Sequence, residues 1–405
     1  MKNWTALAFC MLIYLFSGTA STLMSVYLPV AVPEILNQGP LSDARLGEVG
    51  AYINAVFLYG WMLGGILFGI ISDRIGRKKS LVMVAALYGI ATVSVVFVPN
   101  WYWLLGCRFV TGMGIGGVLV LTTVYISEIW EAKTRPIILG ILAVSFPVGI
   151  VATGGLNLLF TNWRQAFWLG LIPVFVALLI HFFLPESAAW QNGATATKKH
   201  QPRIFDLDNR RNLIVGSVIF GSVLIGLWGI FSWLPTWVQS LLPAGQDGQQ
   251  ERGFTMMLLG VGGVVGGVIS GFLIKAIGNR KTLIITFLGC TVASCLLFTT
   301  NHTFSQKIYL ELAFLSLFFG ISQGTLSSYI PALFPASIRA TAAGFCFNVG
   351  RFFTATAVFF VGTMVALLGG FGRALLVFSV LFLVAFITTY LNKELTIKQP
   401  LSPKT

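Results

Sequence analysis

Of this chain's 405 residues, 56% are hydrophobic and only 10% charged, and its mean hydropathy is +0.85. Soluble globular domains carry about 25% charged residues, so a water-soluble fold is excluded and a membrane setting follows. The net charge of +13 would suit nucleic acid only if the basic residues gathered on a soluble face, and they do not.

Apolar runs long enough to cross about 30 Å of hydrocarbon at 1.5 Å per residue fall, in chain order, at 6–30, 49–71, 80–98, 102–127, 136–160 and 166–184. Six more follow at 212–238, 255–275, 282–299, 308–332, 341–366 and 372–391. The first run is too long for the 7–15-residue core of a signal peptide and is expected to stay as a helix. All five cysteines fall inside runs, unlike a disulfide framework or a closely spaced metal site, and read as small packing residues.

The two sets of six are copies. Gly69, Asp73, Gly76, Arg77 and Lys78 recur, 202 residues on, as Gly271, Lys275, Gly278, Asn279 and Arg280. Tyr125, Arg135 and Gly140 recur, 204 residues on, as Tyr329, Arg339 and Gly344. The expected fold is therefore an all-α integral membrane protein of twelve transmembrane helices, arranged as two pseudo-symmetric six-helix bundles, 1–184 and 212–405. The polar, mixed-charge segment 185–211 is expected to be a cytoplasmic linker, and the chain beyond the last run a short cytoplasmic tail.

Placing both termini in the cytoplasm puts 19 of the 26 basic residues on that face and only Arg45, Arg164, Arg252, Lys307 and Arg373 on the other. This is the asymmetry of the positive-inside rule. The basic charge is thus explained by topology, and the expected location is the inner (plasma) membrane.

Short motifs sharpen the reading. Gly69, Asp73, Arg74, Gly76, Arg77 and Lys78 follow the pattern G-x-x-x-D-R-x-G-R-R. Arg108, Gly112, Gly114 and Gly116 follow R-x-x-x-G-x-G-x-G, and Pro185-Glu186-Ser187 closes the first half. Taken in order on a twelve-run profile, these resemble the major facilitator superfamily, and Gly344 to Arg351 is most similar to its carboxylate and sialate branch. The resemblance implies alternating access and a carrier without enzymatic chemistry. The expected partners are a small organic solute, protons and the bilayer, with no cofactor, no nucleic acid and a monomeric carrier. No metal-ligand cluster, nucleophile elbow or phosphate-binding loop argues otherwise.

Intramembrane charge supplies the sharpest candidates, since an arginine at the bilayer centre costs roughly 2.5–3.5 kcal/mol and is kept where it has a cavity and a partner. Arg351 lies about 15 Å into helix 11 by rise per residue, with Asn348 on the same helix face and Gln323 at similar depth on helix 10. These three, with Tyr52, Asn54 and Trp228, are the candidate substrate-binding residues. Arg351 reads either as a fork for a substrate carboxylate or as a structural arginine satisfied by the protein. The resemblance links Arg108 to proton coupling. Helix 1 has no interior aspartate to pair with it, which leaves Glu34 as the nearest acidic candidate.

The resemblance also makes Asp73 a latch against the positive N-terminus of helix 11, the alternative being a solvated charge that only fixes topology. Arg74, Gly76, Arg77, Glu128, Arg135 and Arg339 complete the candidate gate, with Glu128 and Arg135 expected to pair around Arg74. Lys275 replaces the aspartate in the second copy, so the latch is expected on one side only. The favoured function is proton-coupled uptake of a small organic anion, a monocarboxylate or sugar acid. The alternatives are an exporter of lipophilic or drug-like compounds and a neutral sugar symporter.

Overall fold

The computed structural model describes residues 2–131, 133–193, 205–243, 245–335 and 338–392. The middle of the expected linker, residues 194–204 with the basic residues from Lys198 to Arg203, lies outside them, as does the tail from Lys393.

Twelve helices are long and apolar enough to cross a membrane: α1 (Asn3–Ile35), α2 (Asp43–Ile75), α3 (Arg77–Phe97), α4 (Trp101–Ile129), α5 (Ile137–Leu159), α6 (Trp163–Phe183), α7 (Asn209–Ser240), α8 (Gln249–Ile277), α9 (Asn279–Thr300), α10 (Lys307–Ala332), α11 (Thr341–Leu368) and α12 (Phe371–Leu391). Most run a few residues beyond the apolar cores because polar helix ends continue the backbone hydrogen bonding. The N-cap Ser42, for instance, accepts the Arg45 N–H at the start of α2. Two helices are interrupted. In α7 the helical run breaks after Phe231 and resumes at Leu234, next to Pro235, and in α11 it breaks at Phe360.

The duplication is visible in backbone and side chains alike. Gly76 (φ 105°) and Gly278 (φ 83°) make the turns from α2 to α3 and from α8 to α9 in a conformation that favours glycine. The Arg135 guanidinium donates to the Trp130 carbonyl at 3.1 Å, and its copy Arg339 donates to Phe334, again five residues back. Tyr125 donates to the Pro185 carbonyl just past α6, and its copy Tyr329 meets Asn392 just past α12.

Within each half the helices pack closely, and between halves the contacts gather away from the basic Asp73–Lys79 turn. At that opposite face α2 meets α11, with Gly47 against Gly362 and Tyr52 edge-on to Phe359. There α5 also meets α8 so closely that a Cβ on Gly154 would run into the Gly253 carbonyl. Asn157 and Gln249 each donate a side-chain N–H to the other's backbone carbonyl at 2.6 Å. Among the described residues no hydrogen bond or ion pair joins the halves at the basic face. The carrier is therefore closed at one face and parted at the basic one.

Candidate substrate site and its gates

The first half presents an aromatic wall at mid-depth, built by close helix contacts. A Cβ on Gly18 would strike the Phe146 carbonyl, and one on Gly149 the Leu15 carbonyl, so α1 and α5 touch backbone to backbone. Hydroxyls fasten the seam: Thr19 donates to the Gly149 carbonyl at 2.9 Å, and Thr22 and Thr153 lie 2.8 Å apart. This contact holds Tyr14 beside Phe146, ring centroids 5.6 Å apart. Trp61 of α2 continues the wall, 5.8 Å from Phe146 and 5.5 Å from Trp228 of α7, and Phe57 closes it against Trp228.

Arg351 stands across from this wall. It is half-buried on α11, and its electrostatic neighbour is Tyr14 of the other half. Among the described residues it makes no hydrogen bond and no ion pair. Five residues further along α11, Thr356 hydrogen-bonds the Tyr59 hydroxyl at 2.8 Å, bridging the halves above the guanidinium.

The remaining candidates fall at different places. Gln323 is half-buried with its Nε2 unpartnered, and Asn348 is half-buried with its Nδ2 donating to the Gly344 carbonyl. Trp228 joins the aromatic wall. Asn54 is buried with an unpartnered Nδ2, one turn of α2 from Phe57. Tyr52 does not reach the Arg351 level; its ring packs against Phe359 and Trp101 in the closed outer contact. Tyr14, Trp61 and Phe146 were not among the sequence candidates. Their depth along the helices was available from counting, but nothing in the sequence reported which way they face.

Arg108 and Glu34 are not brought together. Arg108 is 1% exposed, donates to the Ala20 and Ser21 carbonyls of α1 at 2.9 and 3.1 Å, and carries the Phe57 ring 4.1 Å from its guanidinium carbon. Glu34 lies about 20 Å further along α1 by rise per residue. There it accepts from the Trp163 indole at 2.7 Å and pairs with Arg164 at 3.1 Å. An arginine at the start of α6, brought in by the fold and invisible to local reading, claims this carboxylate.

At the basic face the gate residues found hydrogen-bonded or ion-paired have no such partner in the opposite half among the described residues. Asp73 pairs with Arg77 at 2.6 Å, its side chain exposed and apart from α11. Within the motif around Arg74, Glu128 pairs with Arg77 at 3.0 Å, and Arg74 itself is exposed. Glu186 accepts the Arg77 and Lys78 backbone N–H groups at 2.9 and 3.0 Å, an anion on the positive end of α3. The second half inverts that polarity: Arg280 donates to the carbonyls of Thr389, Tyr390 and Asn392, a cation on the negative end of α12.

Comparison with known proteins agrees with this architecture. The Major Facilitator Superfamily model matches residues 10–358. The chain belongs to that superfamily. It is 29% identical to the cis,cis-muconate transport protein of Acinetobacter baylyi over 80% of this chain and 79% of that one. It is 25% identical to the niacin transporter NiaP of the same species over 85% of each. Its fold superposes on the inward open conformation of the xylose transporter XylE from E. coli with a TM-score of 0.80, at 17% identity over 98% of both chains. The all-helical, twelve-span membrane fold and a transporter rather than an enzyme, as expected from the sequence, both hold.

Proposed function

We propose that this carrier takes up a small organic anion, with a flat, conjugated body, across the inner membrane in company with protons. The observation that supports this reading is Arg351: a mid-membrane guanidinium with no hydrogen bond or ion pair among the described residues, whose electrostatic neighbour on the other half, Tyr14, packs beside Phe146. An unpaired charge at that depth is costly, and a planar fork matches a carboxylate. Aromatic walls reward a flat π-system by about 0.5–1.5 kcal/mol per ring pair beyond area burial, whereas a polyol would need more polar groups than Gln323, Asn348 and Tyr14 offer. This favours a conjugated acid over a sugar acid. The relatives named for muconate and niacin transport carry acids of that kind.

In this reading both termini and the linker are cytoplasmic, the parted face opens inward, and the carrier works as a monomer. Asp73 latches the α11 N-terminus only when the basic face closes. Arg108 holds two carbonyls of α1 and stands apart from Glu34. A thermal-shift screen of the purified protein against benzoate, nicotinate and their neutral amides tests the anchor. The acids should raise the melting temperature and the amides should not; equal shifts from both would refute it. Accumulation in vesicles that survives a protonophore in sodium-free buffer would remove proton coupling.

A further inference from the structure

A hollow of about 760 Å³ lies at the basic face, where the start of α1 meets the connection between α4 and α5. Its volume falls within the range of small-ligand pockets, about 300–1,000 Å³. Two indoles build one wall: Trp4 of α1 stands edge-on to Trp130, just past α4, with ring centroids 5.2 Å apart. Asn3 ties the same two segments together by donating to the Ile129 carbonyl at 3.1 Å. Ile137 and Ile141 of α5 form the other wall.

The hollow faces the bilayer and not the substrate cleft. At about 100° per residue, Ile137, Ile141, Val148 and Leu159 share one stripe of α5, and all four are exposed. Phe146, which belongs to the aromatic wall of the cleft, falls about 160° round the helix from that stripe. Gly149, against α1, and Gly154, against α8, flank it on either side. An exposed apolar stripe on a membrane-spanning helix is covered by acyl chains, and tryptophan collects where those chains give way to headgroups. Trp4 is 61% exposed at that level.

The rim carries two cations and one anion. Lys133 is exposed and has no ion-pair partner among the described residues, and Arg135 is half-buried with its guanidinium on the Trp130 carbonyl. Glu131 shares the rim and is exposed. Thr134 lines the hollow at the N-cap of the helix that continues into α5 and makes no capping bond there, and the positive end of a helix favours an anion.

We propose that this hollow seats one anionic phospholipid from the leaflet beside the basic face. Its phosphate lies by Lys133 and Thr134, and one acyl chain follows the α5 stripe past Ile137 and Ile141. Basic clusters at a membrane surface select anionic headgroups, and a zwitterionic lipid would bring its own ammonium against Lys133 and Arg135. A second copy of the chain docked by this same face would set like charges together. Held there, the lipid joins the start of α1 to the connection that carries the gate residue Arg135, so its binding stiffens the basic end of the first half.

The full chain, delipidated in detergent, is melted with phosphatidylglycerol, phosphatidylethanolamine or glycerol 3-phosphate. Phosphatidylglycerol should raise the melting temperature by about 2 °C or more, and the other two should not. Lys133→Gln removes an exposed charge without an ion-pair partner, so it should melt like wild type without lipid and lose at least half of the shift. Trp4→Ala, which removes an exposed ring from the wall, should lose as much. Native mass spectrometry should count one phosphatidylglycerol fewer on the double variant. Equal shifts from the two phospholipids would overturn the proposal, and a shift from glycerol 3-phosphate as large as that from phosphatidylglycerol would replace the lipid by a soluble phosphate. A full shift in both variants would place the lipid elsewhere and refute the site, as would a dimer that Trp4→Ala splits, which would put a second copy in the hollow.

Discussion

Replacing Arg351 by lysine keeps the charge at mid-depth and removes the second prong. Hydrogen bonds to charged groups contribute about 1.5–3 kcal/mol each, and a carboxylate held by a guanidinium takes two in parallel. A lysine can keep one. The expected loss is therefore about 1.5 kcal/mol, close to a tenfold weaker dissociation constant. Arg351→Met removes both bonds and the charge, and should weaken binding by about 3 kcal/mol, more than a hundredfold. Because Arg351 makes no hydrogen bond to any described residue, neither variant removes a contact that holds the fold. Both should reach the membrane and stay monodisperse in detergent. Isothermal titration with benzoate or nicotinate, normalised to folded protein, is the assay. Unchanged affinity in the lysine variant, or a variant that aggregates while its folded fraction binds normally, would show a structural arginine and refute the reasoning.

The exposed Asp73 carboxylate pairs with Arg77 in this conformation, and exposed ion pairs contribute about 0–1 kcal/mol, so Asp73→Asn should leave the melting temperature nearly unchanged. If its charge meets the α11 N-terminus when the basic face closes, losing about 0.3–2 kcal/mol there should shift the population towards the basic-face-open form; equal labelling of a cleft cysteine in both proteins would count against the latch. Gly154→Val drives a side chain into the Gly253 carbonyl. Overpacking of about 1–3 kcal/mol should part α5 from α8, raising labelling from the opposite face fivefold or more, and unchanged labelling would refute the closeness of that contact. A periplasmic reporter fused after Thr405 should stay inactive, and activity there would overturn the cytoplasmic placement of the termini.

The sequence was informative where physics is local or periodic. Twelve apolar runs follow from the length of a helix that spans hydrocarbon. The repeat survives because a turn with positive φ needs glycine twice, at 76 and 278, and because Arg135 and Arg339 satisfy the same helix-end carbonyl position. Depth was legible too, since 1.5 Å per residue puts Arg351, Trp228 and Gln323 well inside the membrane. Facing was not. In a helix buried in lipid or in protein all round, the hydrophobic stripe that would report orientation is missing, so Tyr14, Trp61 and Phe146 went unseen, while the candidate Tyr52 packs against Trp101 and Phe359 instead. Long-range partners were equally hidden: Arg164 is 130 positions from Glu34, and Glu186 is 109 from Arg77.

The contrast between the two interior arginines separates scaffold from function more firmly than either position could alone. Depth and motif membership would favour Arg108, which lies in a family pattern and is the more deeply buried. Its partners say otherwise. Two carbonyls of α1 accept from its terminal nitrogens and the face of Phe57 covers its guanidinium, with Nε alone left unpartnered, so a substrate arriving there would have to displace them. Arg351 makes no hydrogen bond or ion pair with any described residue, and its electrostatic neighbour is Tyr14 of the aromatic wall on the other half. A side chain that the fold leaves unsatisfied at a costly depth is satisfied by something that comes and goes, and in a carrier that is the cargo.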